Sequence, residues 1–168
     1  MDWNIPSINE TKAIVIIAHP DDETIFCGGT ILRYSHWRWT VYCLTAQKET
    51  ERGNEFMKAM EMYKAMGVND INFVCLEQED KQEDPSKGDI QQWDTVIRDL
   101  DIRGDLILTH NAIGEYGHPQ HKILNKISNE LYKNVWEIIC PGARNFLQPT
   151  RSKINQIKLE KDVLTKKC

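Results

Sequence analysis

The stretch Ala13-Ile14-Val15-Ile16-Ile17-Ala18-His19-Pro20-Asp21-Asp22-Glu23 passes without a break from apolar residues into a knot of imidazole and carboxylates. A run so rich in Ile and Val reads as a strand covered on both faces, as in a parallel sheet. In open α/β sheets ligands bind beyond the carboxyl ends of strands, and this strand delivers His19, Asp21 and Asp22 there. Pro20 disfavours helix at His19 and suits a turn, so a helix is expected to begin near Asp22 or Glu23.

Outward from that stretch, strand and helix signals alternate. A helix over about 23–34 contains Gly28 and Gly29, which point to close approach of its backbone to the sheet. A second strand at about 39–45 precedes a long helix at about 50–66, which Gly67 stops. A third strand covers 71–76, and the acidic, polar stretch 77–88 reads as a solvated loop. Asp89 is expected to cap an amphipathic helix reaching about Leu100. A fourth short buried strand, 105–109, ends at His110, and a helix over 118–133 carries Pro119 in its first turn. A fifth strand is expected at 135–139, with a candidate strand at 153–159 and a short helix at 160–167. This alternation implies right-handed crossovers and a mostly parallel sheet between helices.

The chain has 168 residues, enough for one domain with a sizeable core. Lys and Arg total 21 against 25 Asp and Glu, so a formal charge of −4 leaves no electrostatic footprint for nucleic acid or an anionic membrane. The five cysteines are an odd number without tight pairing, and Cys27, Cys43 and Cys75 sit in apolar contexts. They read as reduced core residues of an intracellular protein. Met1-Asp2-Trp3-Asn4 has no basic-then-apolar leader, and no apolar run approaches a membrane span. A soluble, cytoplasmic protein is expected, with homo-oligomerisation left open.

A second chemical cluster, His110-Asn111-Ala112-Ile113-Gly114-Glu115-Tyr116-Gly117-His118-Pro119-Gln120-His121, follows the fourth strand. Histidines thus stand at a second strand end. A catalytic zinc ion takes three protein ligands and keeps one open position, and His mixed with a carboxylate is a common set. His19 and Asp22 are three apart across a turn, and His118 and His121 are three apart at a helix start, which puts each pair on one side. Any three of these four residues satisfy that demand, so spacing does not choose among them. Asp21 and the spare histidine would then be available as base and acid for hydrolysis. Each cluster also has a plainer reading: a capped turn for the first, surface histidines for the second. Their coincidence at the ends of two buried strands favours a site. His36 reads as surface or packing, and His110 as a structural support for the ligands.

Ala18-His19-Pro20-Asp21-Asp22-Glu23 followed by Gly28-Gly29-Thr30, and Thr109-His110-Asn111 leading to Gly117-His118-Pro119-Gln120-His121, resemble the LmbE-like, or PIG-L, family of zinc-dependent N-acetylglucosaminyl deacetylases. The likeness runs in order from about residue 12 to about 133. It implies a single α/β domain over 1–168, a Rossmann-like three-layer sandwich. It also implies Zn2+, with Fe2+ or another divalent transition metal as an alternative, held by His19, Asp22 and His121. Asp21 would be the general base, and His118 would protonate the leaving group or stabilise the oxyanion. Arg52 and Asp80 are the matches for the family's sugar contacts, and Tyr116 would line the site. The implied partner is a small-molecule N-acetylated amino sugar or its conjugate.

Two departures from the family pattern stand out. Gln120 occupies a position where the family has Asp or Asn, which bears on how the neighbouring histidines are oriented. The C-terminal part is short relative to the family, which bears on substrate selection. The function expected is hydrolysis of the acetyl amide by activated water. The alternatives are a catalytically silent sugar-binding module on the same fold, and a metal-dependent hydrolase of another amide or ester. A phosphoesterase fits less well, since no glycine-rich phosphate loop is present.

Overall fold

The computed structural model describes residues 11–81 and 85–138. Its centre is a sheet of five strands in the order β3-β2-β1-β4-β5. The strands are β1 (Lys12–Ile17), β2 (Arg38–Cys43), β3 (Ile71–Cys75), β4 (Leu106–Thr109) and β5 (Val135–Glu137). Every pairing between them is parallel. The expectation of a mostly parallel sheet between helices is thereby met.

Side-chain alternation along β1 builds the layers, because successive residues of a strand face opposite sides. Ala13, Val15 and Ile17 join one core with Ile31, Phe56 and Met60. Ile14 and Ile16 join another with Trp93, Ile97, Leu124 and Ile127. The first core is closed by α1 (Gly28–Arg33) and α2 (Glu51–Ala65), the second by α3 (Lys87–Asp99) and α5 (Pro119–Leu131). A single turn, α4 (Gly114–Gly117), precedes α5. Cys27 and Cys43 are buried, Cys75 is half-buried, and all three are free thiols.

Strand order then fixes where a site can form. From β1 the chain moves outward through β2 and β3, then returns to lay β4 on the other side of β1. The carboxyl ends of β1 and β4 flank the crevice where the connections diverge, the usual ligand position in such sheets.

Local structure departs from expectation in three places. The helix after β1 opens with a π-helical segment, Glu23–Cys27, before α1 proper. Gly28 does not meet the sheet: a Cβ there would lie 2.7 Å from the Tyr63 hydroxyl on α2. The cap of α3 is Ser86 rather than Asp89. Ser86 Oγ accepts from Asp89 N, and Asp89 accepts in turn from Ser86 N, so Asp89 is the far half of a capping box. The long helix behaves as expected, with Thr50 accepting from Gly53 N at its start and Gly67, at φ +97°, beyond its end. The candidate strand at 153–159 and helix at 160–167 lie outside the described residues.

Candidate metal centre

The turn after β1 and the loop after β4 bring their histidines and carboxylates to one point. His19 Nδ1 lies 3.2 Å from Asp22 Oδ2 and 3.2 Å from His121 Nε2, and the third side, His121 Nε2 to Asp22 Oδ2, measures 3.4 Å. A tetrahedral ion with bonds of about 2.0–2.1 Å has ligand–ligand edges of about 3.3–3.4 Å. The His19–Asp22–His121 triangle therefore fits a single divalent transition metal in both size and donor chemistry. His118 also stands within ligand range of His19 and His121, and His110 within range of Asp22 and His121.

Hydrogen bonding sets His110 apart from the other histidines. His110 Nε2 accepts from Ala18 N at 3.0 Å, so its Nδ1 carries the proton and donates to Glu115 Oε2 at 3.0 Å. With both nitrogens engaged and the ring fully buried, His110 ties the two strand ends together and has no lone pair to offer. His121 Nδ1 donates to the same Glu115 oxygen at 2.7 Å, which leaves Nε2 unprotonated and facing the triangle. A carboxylate behind a histidine in this way sets its tautomer and raises its basicity as a ligand.

Glu115 is the residue that sequence reasoning passed over. It is 3% exposed and sits at φ +54°, a conformation that costs a non-glycine residue of order 1–3 kcal/mol. Asn111 holds it there: Asn111 N donates to Glu115 Oε1 at 2.9 Å, and Asn111 Oδ1 accepts from Glu115 N at 3.1 Å. Burial pushes the Glu115 carboxyl up, but the His110 and His121 hydrogen bonds outweigh it and hold the group below the usual glutamate range. The one sequence signal was an acid between two glycines in a loop already rich in histidine.

Asp22 is 4% exposed. Burial opposes its charge, yet the three imidazoles packed around it, His110, His121 and His19, outweigh that and hold it well below the usual carboxylate range. His19 presents Nδ1 to the triangle, so its Nε2–H requires an acceptor, and Gln120 Oε1 supplies one at 2.7 Å. In the reversed orientation the Gln120 amide N donates to His19 Nε2 at 2.7 Å, Asp80 Oδ1 at 3.0 Å and Lys81 O at 3.2 Å, while its oxygen accepts from Lys81 N at 3.2 Å. A carboxylate could make the first contact but not both faces of the second, a chemical consequence of Gln at this position.

The remaining expected residues line a cavity of about 530 Å³ above the triangle, shared by Asp21, Arg52, Asp80, Tyr116 and His118. Asp21 is exposed, with φ +123°. Burial of its inner part and the neighbouring Asp22 raise its pKa, against the pull of Arg52. Arg52 Nη2 donates to Asp21 Oδ2 at 3.1 Å and to Pro20 O at 2.6 Å. Asp80 Oδ1 stands 3.5 Å from His19 Nε2. His118 stacks on His121 at 4.5 Å, and burial with its histidine neighbours lowers its pKa. Tyr116 meets His118 edge-on and is largely exposed. His36 is exposed beside Tyr34 and Trp37, away from the site.

A parallel α/β sheet with a triangle of two histidines and an aspartate at its switch point defines a class, α/β proteins with a His/Asp cluster able to hold a metal at the carboxyl ends of their strands. The sequence profile of the PIG-L family, described as GlcNAc-PI de-N-acetylase, matches residues 14–132, and the chain belongs to that family. A curated relative, the uncharacterized protein L374 of Acanthamoeba polyphaga mimivirus, is 29% identical over 134 residues, covering 68% of this chain and 55% of the relative. The N-acetylglucosaminyl-phosphatidylinositol de-N-acetylase of Bos taurus is 26% identical over 125 residues, covering 68% and 48%. The chain thus spans about half the length of these curated relatives. Among solved structures, the A40926 pseudoaglycone deacetylase Dbv21 superposes with a TM-score of 0.68 at 15% identity, covering 94% of this chain and 78% of its own. The zinc-inhibited form of teicoplanin deacetylase Orf2 gives 0.65 at 16% identity, covering 94% and 81%. At such identities these structures speak to the fold alone. Among the described residues, no helix is long and apolar enough to cross a membrane.

Proposed function

We propose that the protein is a metal-dependent N-deacetylase that removes acetate from an N-acetylated amino sugar or its conjugate. The observation that carries this reading is the donor triangle of His19, Asp22 and His121, with Asp21 and His118 on the cavity directly above it. Membership of a family described as a de-N-acetylase, and the Bos taurus relative's name, support the choice of an N-acetylated amino sugar.

We assign the metal to His19, Asp22 and His121. Zinc is the ion we favour, and the same donors accept Fe2+, Co2+ or Ni2+. When bound, such an ion supplies a Lewis acid that polarises the acetyl carbonyl and acidifies water. Asp21 takes the proton of the attacking water. Arg52 occupies Asp21 Oδ2, so the other carboxylate oxygen is the one assigned to that proton. A raised pKa suits this base, because the proton it accepts must later reach the departing nitrogen. His118, with its lowered pKa, faces the same cavity as a neutral imidazole and donates to the developing oxyanion or the leaving nitrogen. The C–O bond to water forms first and puts negative charge on the former carbonyl oxygen, and the C–N bond then breaks as the nitrogen receives the proton that Asp21 took, giving acetate and a free amine. Arg52, Asp80 and Tyr116 are assigned to the sugar.

The test compares wild type with Asp21→Ala for metal content and for acetate release from N-acetylglucosamine and its glycosides. Wild type should hold one metal per chain and release acetate, while the variant keeps the metal and loses turnover. Retained turnover, or loss of the metal, would overturn the assignment of Asp21. Metal without acetate from any of these sugars in wild type would favour the silent binding module.

A further inference from the structure

Glu23 is a buried carboxylate that the mechanism above leaves unused. It lies at the start of the π-helical segment, is 1% exposed, and is bonded at both oxygens. Glu23 Oε2 accepts from Asp21 N at 3.2 Å, and Glu23 Oε1 accepts from Thr24 Oγ1 at 2.7 Å. Thr24 Oγ1 accepts in turn from the Tyr63 hydroxyl on α2 at 3.3 Å. That hydroxyl occupies the space a Cβ at residue 28 would need, so Gly28 permits the contact.

The chain Tyr63–Thr24–Glu23 ends on the main chain of one particular residue. Asp21 is held at φ +123°, outside the regions that L-residues favour. Its carbonyl is engaged by Thr24 N and Ile25 N, both at 2.9 Å, and its side chain by Arg52. The remaining backbone group is the N–H, and Glu23 takes it. Loss of that acceptor would free Asp21 φ to relax toward ordinary values, which would swing its carboxylate relative to Asp22 and His19. Burying a carboxylate is unfavourable unless its oxygens are satisfied, and here the satisfaction is directed to one strained backbone position.

We infer that Glu23 is a positioning residue: backed by Thr24 and Tyr63, it locks the Asp21 backbone in the left-handed conformation that presents the Asp21 carboxylate to the cavity. The inference rests on the reading of Asp21 as the base. It also makes α2 a two-point clamp, with Arg52 on the Asp21 side chain and Tyr63, through Glu23, on its backbone.

The experiment uses the full chain loaded with zinc and compares Glu23→Met with Glu23→Gln. Methionine keeps the volume and removes both acceptors, whereas glutamine keeps an acceptor for Asp21 N–H. Metal content, kcat and KM on N-acetylglucosamine, and hydrogen exchange of the Asp21 amide are measured. Glu23→Met should lower kcat by about 10- to 100-fold, the scale of a misplaced catalytic group. Its KM and metal content should match wild type, and the Asp21 amide should exchange faster. Glu23→Gln should restore slow exchange and most of kcat. Unchanged kcat and exchange in Glu23→Met, a loss confined to KM or metal content, or failure of Glu23→Gln to rescue would each overturn the inference. Should Glu23→Met not fold, Tyr63→Phe removes the far end of the chain and should shift both readouts in the same direction by less. No shift in either would then decide against it. Full activity in Asp21→Asn would refute the base reading itself, and the exchange data on Glu23 would still report on the backbone lock.

Discussion

On the floor of the site His110, Gln120 and His121 have no exposed surface, and Glu115 and Asp22 retain 3% and 4%. At the rim the side chains of Asp21, Arg52 and Asp80 are 54%, 57% and 45% exposed. The floor is a hydrogen-bond circuit in which Ala18 N–H and the Glu115 carboxylate fix the proton positions of His110 and His121. Ala18 N–H points into His110, His110 and His121 point into Glu115, and His121 and His19 turn their remaining nitrogens toward Asp22. At the rim Arg52 donates to Pro20 O at 2.6 Å and pairs with Asp21 at 3.1 Å, an ion pair whose exposure limits it to about 0–1 kcal/mol. Low dielectric and these directed bonds make the floor a device for placing lone pairs. Solvent access leaves the rim to grip substrate and exchange protons.

The largest expected effect from breaking this contrast is on the floor. Glu115→Gln keeps the shape but loses the charge that accepts from two histidines at once. Metal affinity, read by calorimetric titration of zinc, should fall by roughly 10- to 100-fold, as for other partners standing behind ligands. Unchanged affinity would mean that the His121 tautomer is set by something other than Glu115.

Proton competition sharpens the same contrast. In the metal-free protein burial lowers the pKa of His19 and of His121, but bonds to Asp22, joined by Gln120 for His19 and Glu115 for His121, raise both overall. A raised folded pKa gives stability that is fully present below the unfolded value near 6.5 and is lost as pH rises through the folded pKa. Metal requires the unprotonated rings, so its affinity should fall by about tenfold per pH unit of acidification for each proton displaced, and the fall should begin above pH 6.5. The melting temperature of metal-free protein should therefore decline as pH rises above about 6.5, while the stabilisation added by zinc grows. Parallel slopes for the two forms would show that the histidines are not the groups exchanging protons for metal.

The smallest effect belongs to the rim. Arg52→Ala should leave zinc affinity at the wild-type value and change KM and kcat for the sugar, since Arg52 touches Asp21 and the cavity but none of the triangle. A drop in zinc affinity in that variant would erase the distinction between floor and rim.

Much of this architecture was legible in the chain. The β1 apolar run, the Gly67 stop and the turn signal at Pro20 are local effects of burial and backbone sterics, so they read through without an alignment. The grouping of His19, Asp22, His118 and His121 was also visible, because each pair follows a buried strand and parallel strands share a ligand end. Finer features were not. Ser86 and Asp89 both carry cap chemistry, and only the geometry of the first turn separates the cap from its reciprocal partner. A π-helical register differs from an α-helical one by a single residue in hydrogen-bond reach, which leaves no mark on periodicity.

The sequence by itself determined the parallel α/β sheet, the two strand ends where chemistry gathers and the residue types present there, because hydrophobic patterning and turn chemistry act over a few neighbouring residues. Only the tertiary structure decided which nitrogen of each histidine faces the triangle, that Glu115 turns inward at positive φ, and that Glu23 grips the Asp21 backbone. Those outcomes depend on hydrogen bonds between segments far apart in the chain, such as Ala18 to His110 and Tyr63 to Thr24, and no local pattern encodes a partner that folding alone brings near.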